Sequence, residues 1–138
     1  MGEGKSMGTV GQLMTSNLRL INEGVPIQEA ATMMHRHRIG SLFVRRDEEF
    51  VGIITETDVV QAVAEQPRNI ERLTVQEVMS RPIITVDRTM APHYARDLMA
   101  DRKIRHLGVT QDGKIVGVIS VRDLLAYFKT VSKELEDS

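Results

Sequence analysis

The sequence predicts an α+β fold of two tandem β-α-β-β-α units that pack as a pseudo-two-fold pair. The first observation behind it is a repeat. A shift of 65 positions aligns twelve identical pairs without a gap between residues 10–58 and residues 75–123, where chance would give roughly three or four. The second is a switch, in each copy, between helical spacing of apolar residues and short apolar runs. The third is a hairpin-type turn between two such runs in each copy.

The repeat divides the chain into two units and three connecting segments. Repeat 1 is predicted at residues 10–66 and repeat 2 at residues 75–132. Residues 67–74 form the linker, residues 1–9 a flexible N-terminus, and residues 133–138 a charged tail that frays. A long repeat that occurs only twice indicates a pseudo-dimer rather than a solenoid.

Each repeat opens with a short turn, an extended segment and a helix. The extended segments are predicted at residues 18–21 and 82–86. Apolar residues three and four apart, such as Ile27, Ala30 and Met34, indicate the helix that follows. Pro26 and Pro92 lie near the two helix starts, where a missing N–H costs little.

A hairpin and a second helix complete each repeat. The predicted hairpin turns lie at residues 46–49 and 111–114, and the second contains Asp112-Gly113, a strong hairpin signal. The closing helices are predicted at residues 57–65 and 122–131. A helix on one face of a small sheet leaves apolar surface to cover, and a second copy can cover it.

The junction of last strand and last helix carries the same pattern twice: glycine, two apolar residues, a hydroxyl residue, two variable residues and aspartate. It runs from Gly52 to Asp58 and from Gly117 to Asp123. One interpretation is a helix capping box with the hydroxyl at the N-cap. The other is a ligand site, where the hydroxyl and free N–H groups meet a phosphate and the aspartate accepts from ribose hydroxyls. The glycine would allow a close backbone approach. The two interpretations are compatible.

The amino-acid composition and net charge argue against several classes of site and function. The absence of cysteine excludes disulfides, thiolate metal sites and a cysteine nucleophile, and fits a cytoplasmic protein. A net charge of −1 and 4% aromatic residues give no basis for nucleic-acid binding. No apolar run approaches the length of a membrane span.

The two repeats resemble a tandem pair of CBS domains, the cystathionine-beta-synthase domain, whose pair is called a Bateman module. The similar motifs are Val-x-x-x-Met-Thr/Ser at residues 10–15 and 75–80, the first strand at residues 82–86, the segments 36–42 and 102–107, and the two Gly-x-x-Thr/Ser-x-x-Asp endings. The resemblance covers residues 10–131, nearly the whole chain.

This resemblance implies two clefts between the repeats that bind adenine nucleotides (AMP, ADP or ATP) or other adenosyl ligands such as S-adenosylmethionine. Ile53 and Val118 would pack against adenine. One cleft would combine Thr55, Asp58, Met79, Ser80 and Ile84, and the other Ser120, Asp123, Met14, Thr15 and Arg19; Ile39, Gly40, Ile104 and Arg105 would line the clefts where the second strands meet.

The two implied clefts differ in charge. The second has Arg122 and Arg105 where the first has Thr57 and Gly40. A guanidinium is a fork of donors that fits phosphate oxygens, so we expect a phosphate-bearing ligand at the Ser120/Asp123 cleft.

Other candidate motifs favour plain structural roles. Gly4-Lys5-Ser6 lacks the strand and earlier glycine of a phosphate loop. His35 and His37 have no third metal ligand placed by the sequence and suit a helix end. His93 and His106 are isolated, and Met33, Met34 and Met99 follow helical periods typical of core or interface packing.

We therefore expect a regulatory adenine-nucleotide sensor without catalytic residues, metal or catalytic cofactor, signalling through conformational or oligomeric change. The resemblance implies a homodimer of such pairs, with a regulated protein as further partner and no nucleic acid or membrane. The alternatives are an interaction or dimerisation scaffold with vestigial clefts, and a module for S-adenosylmethionine.

Overall fold

The computed structural model describes residues 8–137. The predicted segment 1–9 lies outside the described residues except for Gly8 and Thr9, and so does Gly4-Lys5-Ser6. The first elements are α1 (Val10–Leu13), β1 (Leu20–Asn22), α2 (Ile27–His37), β2 (Ser41–Arg46), β3 (Glu49–Thr55) and α3 (Glu56–Glu65). The same series follows as α4 (Val75–Val78), β4 (Thr85–Asp87), α5 (Pro92–Arg102), β5 (His106–Gln111), β6 (Lys114–Ser120) and α6 (Val121–Asp137).

Two three-stranded mixed sheets form the framework. β1 pairs in parallel with β2, and β2 pairs antiparallel with β3. β4, β5 and β6 repeat this order and these directions. The α+β class and its two copies are confirmed. Each copy carries one element more than expected, because the opening turn is a short helix.

The first strands are shorter than the segments predicted for them. β4 begins at Thr85, so residues 82–84 precede the strand, and β1 begins at Leu20 rather than at residue 18. Ile84 still contributes one hydrogen bond, because its carbonyl accepts from the Gly108 N–H at 2.9 Å. The last helix, α6, continues to Asp137 through the residues where the sequence predicts a frayed tail.

Residues with positive φ occur in the hairpin turns and at the ends of two helices. Asp47 and Asp112 take positive φ in the two hairpin turns, at 53° and 52°. Asparagine, aspartate and glycine tolerate that region best. Arg38 and Lys103 end α2 and α5 in the same left-handed region, each with φ 56°. The sequence did not indicate those two caps, because neither residue is a glycine.

The two compact units of the structure do not coincide with the two sequence repeats, because each unit includes the opening segment of the other repeat. One unit, the first-sheet unit, is Leu18–Ile83, and the other, the second-sheet unit, joins the segment ending at Asn17 to the chain from Ile84 onward. Val75 therefore packs in the core that holds Leu42 and Ile54, although it opens repeat 2. Val10 packs in the core that holds Leu107, although it opens repeat 1. Each sheet is covered in part by a segment from the other repeat.

The start of α4 gives a pH-dependent contribution to stability. The Thr74 N–H and hydroxyl both donate to Glu77 Oε1 at 2.9 Å. These two bonds lower the pKa of Glu77 below its ordinary value of 4.5. A group with a lowered folded pKa stabilises the fold above its unfolded pKa, and that contribution is lost as pH falls through the folded pKa.

Glu77→Gln is expected to remove this acid sensitivity while keeping the cap. Gln12 holds the equivalent place in repeat 1, where its Oε1 accepts from the Thr9 N–H at 3.0 Å. The stability advantage of the unchanged protein over Glu77→Gln should therefore shrink as pH falls below 4.5. Denaturant unfolding at several pH values measures it, with the exposed Glu71→Gln as control. A difference that stays constant with pH contradicts the assignment.

Candidate functional site

The start of α3 is a capping box between Thr55 and Asp58. The Thr55 N–H and hydroxyl donate to Asp58 Oδ2 at 2.9 and 3.1 Å. In return the Asp58 N–H donates to Thr55 Oγ1 at 3.2 Å. One carboxylate oxygen of Asp58 is therefore occupied by the cap, and the charge lies at the positive end of the helix.

The start of α6 repeats this arrangement with Ser120 and Asp123. The Ser120 N–H and hydroxyl donate to Asp123 Oδ2 at 2.8 and 3.0 Å, and the Asp123 N–H donates to Ser120 Oγ at 3.3 Å. The capping-box interpretation is thus confirmed at both helix starts. In both copies the second oxygen, Oδ1, is left over by the cap.

Beside each helix start runs a short segment from the other repeat. In the first-sheet unit this is the Met-Ser segment, Met79-Ser80. It exchanges two backbone hydrogen bonds with Ile53 on β3, Ser80 N to Ile53 O at 2.8 Å and Ile53 N to Ser80 O at 3.0 Å. A Cβ on Gly52 would lie 2.6 Å from Met79 Sδ and 2.9 Å from the Ser80 carbonyl oxygen. The glycine is required for this approach.

The second-sheet unit contains the matching Met-Thr segment, Met14-Thr15. Thr15 N donates to Val118 O at 2.8 Å, and Val118 N donates to Thr15 O at 3.0 Å. A Cβ on Gly117 would lie 2.5 Å from Met14 Sδ and 2.9 Å from the Thr15 carbonyl oxygen. Both repeats therefore use the same device to hold a hydroxyl-bearing segment next to the helix start.

The two helix starts differ at the remaining carboxylate oxygen. Ser80 Oγ donates to Asp58 Oδ1 at 2.9 Å. Thr15 is the repeat equivalent of Ser80, yet among residues 8–137 no group donates to Asp123 Oδ1. Asp123 Oδ1 is therefore without a donor among the described residues, whereas Asp58 Oδ1 already accepts from Ser80. The sequence contained no signal for this difference beyond the exchange of Ser for Thr.

A backbone hydrogen bond ties the segment before the second strand to each helix start. Gly40 O accepts from Glu56 N at 3.1 Å, and Arg105 O accepts from Val121 N at 2.9 Å. The first helix start thus has Glu56 in its first turn and no base at position 40. At the second, Arg105 lies beside the helix start and Arg122 follows in its first turn.

This pair of arginines is available to an anion. Both are exposed, and within the part of the chain that the structure describes neither guanidinium takes part in an ion pair. The first helix start carries two acids in its first turn. The first turn of α6 carries one acid and one base, with Arg105 beside it, and is therefore more favourable to a negatively charged group than the first turn of α3.

The duplicated cap, glycine and Met-Thr/Ser segment agree with a family profile. The profile of the CBS domain matches residues 10–65 and again residues 75–130. The chain belongs to the CBS domain family. It contains a tandem CBS pair, as the resemblance of its motifs predicted.

Relatives and a solved structure agree with this assignment. The chain is 39% identical over 99 residues to an uncharacterized protein of Methanopyrus kandleri, covering 70% of this chain and half the length of that relative. It is 30% identical over 118 residues to the CBS domain-containing protein YhcV of Bacillus subtilis, covering 86% and 84% of the two chains. The CBS domain pair of protein MJ0100, solved in complex with 5′-methylthioadenosine and S-adenosyl-L-methionine, superposes with a TM-score of 0.79 at 25% identity, covering 90% and 98%. CBS pairs of this kind are regulatory ligand-binding modules.

The structure brings together most of the residues predicted for each CBS site. Thr55, Asp58, Met79 and Ser80 meet in the first-sheet unit, and Ser120, Asp123, Met14 and Thr15 meet in the second-sheet unit. Arg19 and Ile84 do not lie in the same compact unit as the helix starts to which they were assigned. The binding role of all these residues stays a prediction.

The apolar candidates have different exposures. Ile53 is buried, with 7% of its surface exposed, and Val118 is half-buried. Ile39 and Ile104 are half-buried, and their N–H groups donate to Met34 O and Met99 O, each at 3.0 Å. These last bonds close the ends of α2 and α5 and orient the segments that lead to Gly40 and Arg105.

The histidines do not form a metal site with other side chains of the described residues. His35 and His37 are exposed in the last turn of α2. Within the described residues, no three His, Cys, Asp or Glu side chains group closely enough to hold a metal ion. Across residues 8–137, no helix combines the length and the apolar character that crossing a bilayer requires.

Proposed function

We propose that this CBS pair is a regulatory sensor that binds an adenine nucleotide (AMP, ADP or ATP) at the Ser120/Asp123 helix start. One observation carries the proposal: Asp123 Oδ1 has no donor among residues 8–137 while Arg105 and Arg122 are free of ion pairs. A ribose diol supplies O–H donors for the carboxylate oxygen, and a phosphate supplies acceptors for the guanidinium groups. The α6 N-terminus adds a favourable dipole for the phosphate.

Binding there can act on the conformation of the chain. The Met-Thr segment, the end of β6 and the start of α6 come from two repeats and meet at this place. A ligand that contacts all three favours the arrangement in which they are together, and only such a difference in affinity shifts an equilibrium. The chain is proposed to pass on this shift without catalysis of its own, and a cytoplasmic location stays a prediction.

The homodimer expected of such pairs has support from one exposed apolar side chain in each unit. Val60 on α3 and Leu125 on α6 occupy equivalent positions of the two repeats and are 67% and 66% exposed. Exposed apolar side chains of this size at matched positions suit a symmetric contact with a second copy.

A second ligand class is favoured at the other helix start. The first turn of α3 has Glu56 and Asp58 and no base, so its electrostatics suit an uncharged or cationic adenosyl ligand better than a phosphate. S-adenosylmethionine, which is bound with 5′-methylthioadenosine in the MJ0100 structure, carries such a cation. Competition between AMP and S-adenosylmethionine for each site separates the two candidates.

Asp123→Asn is expected to weaken AMP binding by about ten- to a hundredfold, because hydrogen bonds to a charged acceptor are worth about 1.5–3 kcal/mol. Asparagine keeps the shape of the side chain and one acceptor for the cap. Isothermal titration calorimetry with AMP measures the change, and exposed Asp101→Asn is the matched control.

Two outcomes contradict the proposal. One is AMP binding that Asp123→Asn leaves unchanged and Asp58→Asn abolishes, which assigns the nucleotide to the other helix start. The other is no heat with any adenosyl ligand, which favours the interaction scaffold with vestigial sites.

A further inference from the structure

The carboxylates of Asp58 and Asp123 cap their helices in the same way but differ in the hydrogen bonding of Oδ1. Both caps take Oδ2 of the aspartate. In the first-sheet unit the exposed Ser80 hydroxyl then donates to Asp58 Oδ1 at 2.9 Å, and in the second-sheet unit Thr15 makes no such bond to Asp123. At the Asp58 site only, the protein thus places its own hydroxyl donor at the oxygen that a ligand's diol would use.

The bond from Ser80 is not required by the fold. The position of the Met-Ser segment is already set by two backbone hydrogen bonds to Ile53 and by the contact of Met79 with Gly52. The Met-Thr segment is held by the same two devices without a bond from its hydroxyl to the aspartate. The side-chain bond is therefore an addition specific to the Asp58 site.

Resting on the proposed function, we propose that Ser80 is an internal competitor for the ligand's diol at Asp58. A ligand hydroxyl that binds Asp58 Oδ1 must displace the Ser80 hydroxyl or share the oxygen with it, whereas at Asp123 Oδ1 it meets no donor from residues 8–137. The Asp58 site is then the weaker of the two. The sites fill in order, Asp123 first, so that the module responds over two ranges of ligand concentration.

The size of the effect follows from the strength of the bond. A solvent-exposed hydrogen bond to a carboxylate is worth less than a buried one, so its removal should change affinity about three- to tenfold. The effect requires a ligand with a diol, since only the diol competes with the Ser80 hydroxyl.

The test isolates the Asp58 site in the full chain. Asp123→Asn leaves Asp58 as the stronger remaining acceptor for a diol, and Ser80→Ala is added to that variant. We expect Ser80→Ala to tighten adenosine binding about three- to tenfold in calorimetric titrations. The affinity for 2′,3′-dideoxyadenosine, which has no diol, should not improve. Ser132→Ala, an exposed serine on α6, is the matched control.

The repeat-equivalent variant gives a second readout. In an Asp58→Asn chain, Thr15→Ala should bring no gain in adenosine affinity, because Thr15 does not donate to Asp123. A gain equal to that of Ser80→Ala overturns the proposal. So does an unchanged affinity in Ser80→Ala, or an equal gain for the dideoxy compound. If the unmodified protein binds no adenosine compound at all, the proposed function fails as well. Binding of adenosine without any effect of Ser80→Ala overturns only the proposal that Ser80 competes with the diol.

Discussion

Replacing Gly117 by alanine is expected to lower the free energy of unfolding by about 2–3 kcal/mol. A methyl group there would lie 2.5 Å from Met14 Sδ and 2.9 Å from the Thr15 carbonyl oxygen. The thioether can rotate away, but the carbonyl belongs to a backbone that is hydrogen-bonded to Val118 in both directions. The Met-Thr segment must therefore move off β6, and the Ser120/Asp123 site loses one of its walls.

Gly52→Ala should have a similar cost, because its methyl would lie 2.6 Å from Met79 Sδ and 2.9 Å from the Ser80 carbonyl oxygen. Denaturant unfolding followed by circular dichroism measures both variants. Gly24→Ala is the matched control, since nothing lies within 4 Å of a Cβ built there. Equal stability of Gly117→Ala and Gly24→Ala would contradict the close approach of the Met-Thr segment to Gly117.

A chain piece of residues 18–83 is expected to fold cooperatively, and a piece of residues 10–66, the first repeat of the sequence, is expected not to. The second piece lacks Leu73 and Val75, which are 6% and 0% exposed in the first core. Burying such side chains contributes about 1.5–3 kcal/mol each. That loss is comparable to the whole stability of a small domain, about 0.05–0.15 kcal/mol per residue.

Thermal unfolding and amide dispersion in NMR spectra distinguish the two pieces. Within the piece 18–83, Val75→Ala should lower the unfolding temperature, and Val60→Ala, at a valine that is 67% exposed, should not. A sharp unfolding transition from the piece 10–66 would contradict the exchange of segments between the repeats.

The duplicated architecture was predictable because it depends on local patterns that occur twice. Helical spacing around Ala30 and Met34, the prolines at helix starts and the Asp112-Gly113 turn each act within a few residues. The left-handed caps at Arg38 and Lys103 were not predictable, since a residue without special backbone preference takes that conformation only when the rest of the fold requires it.

The candidate site was predictable in its residues and only in part in its geometry. The pairing of Asp58 with Ser80 and of Asp123 with Thr15 followed from the family resemblance, and the structure brings these residues into the same units. Whether a hydroxyl reaches a carboxylate oxygen depends on fractions of an ångström in two segments far apart in sequence. Neither spacing nor composition carries that information.

The sequence by itself determined a duplicated α+β chain, the two capping boxes and the unequal charge of the two helix starts, because each depends on residue type and local order. Only the tertiary structure decided that Val10 and Val75, which open the two repeats, each pack in the core beneath the other repeat's sheet. It alone decided that the Ser80 hydroxyl donates to Asp58 Oδ1, while no group of residues 8–137 donates to Asp123 Oδ1. Such contacts form between residues that are distant along the chain, and only packing sets their distances.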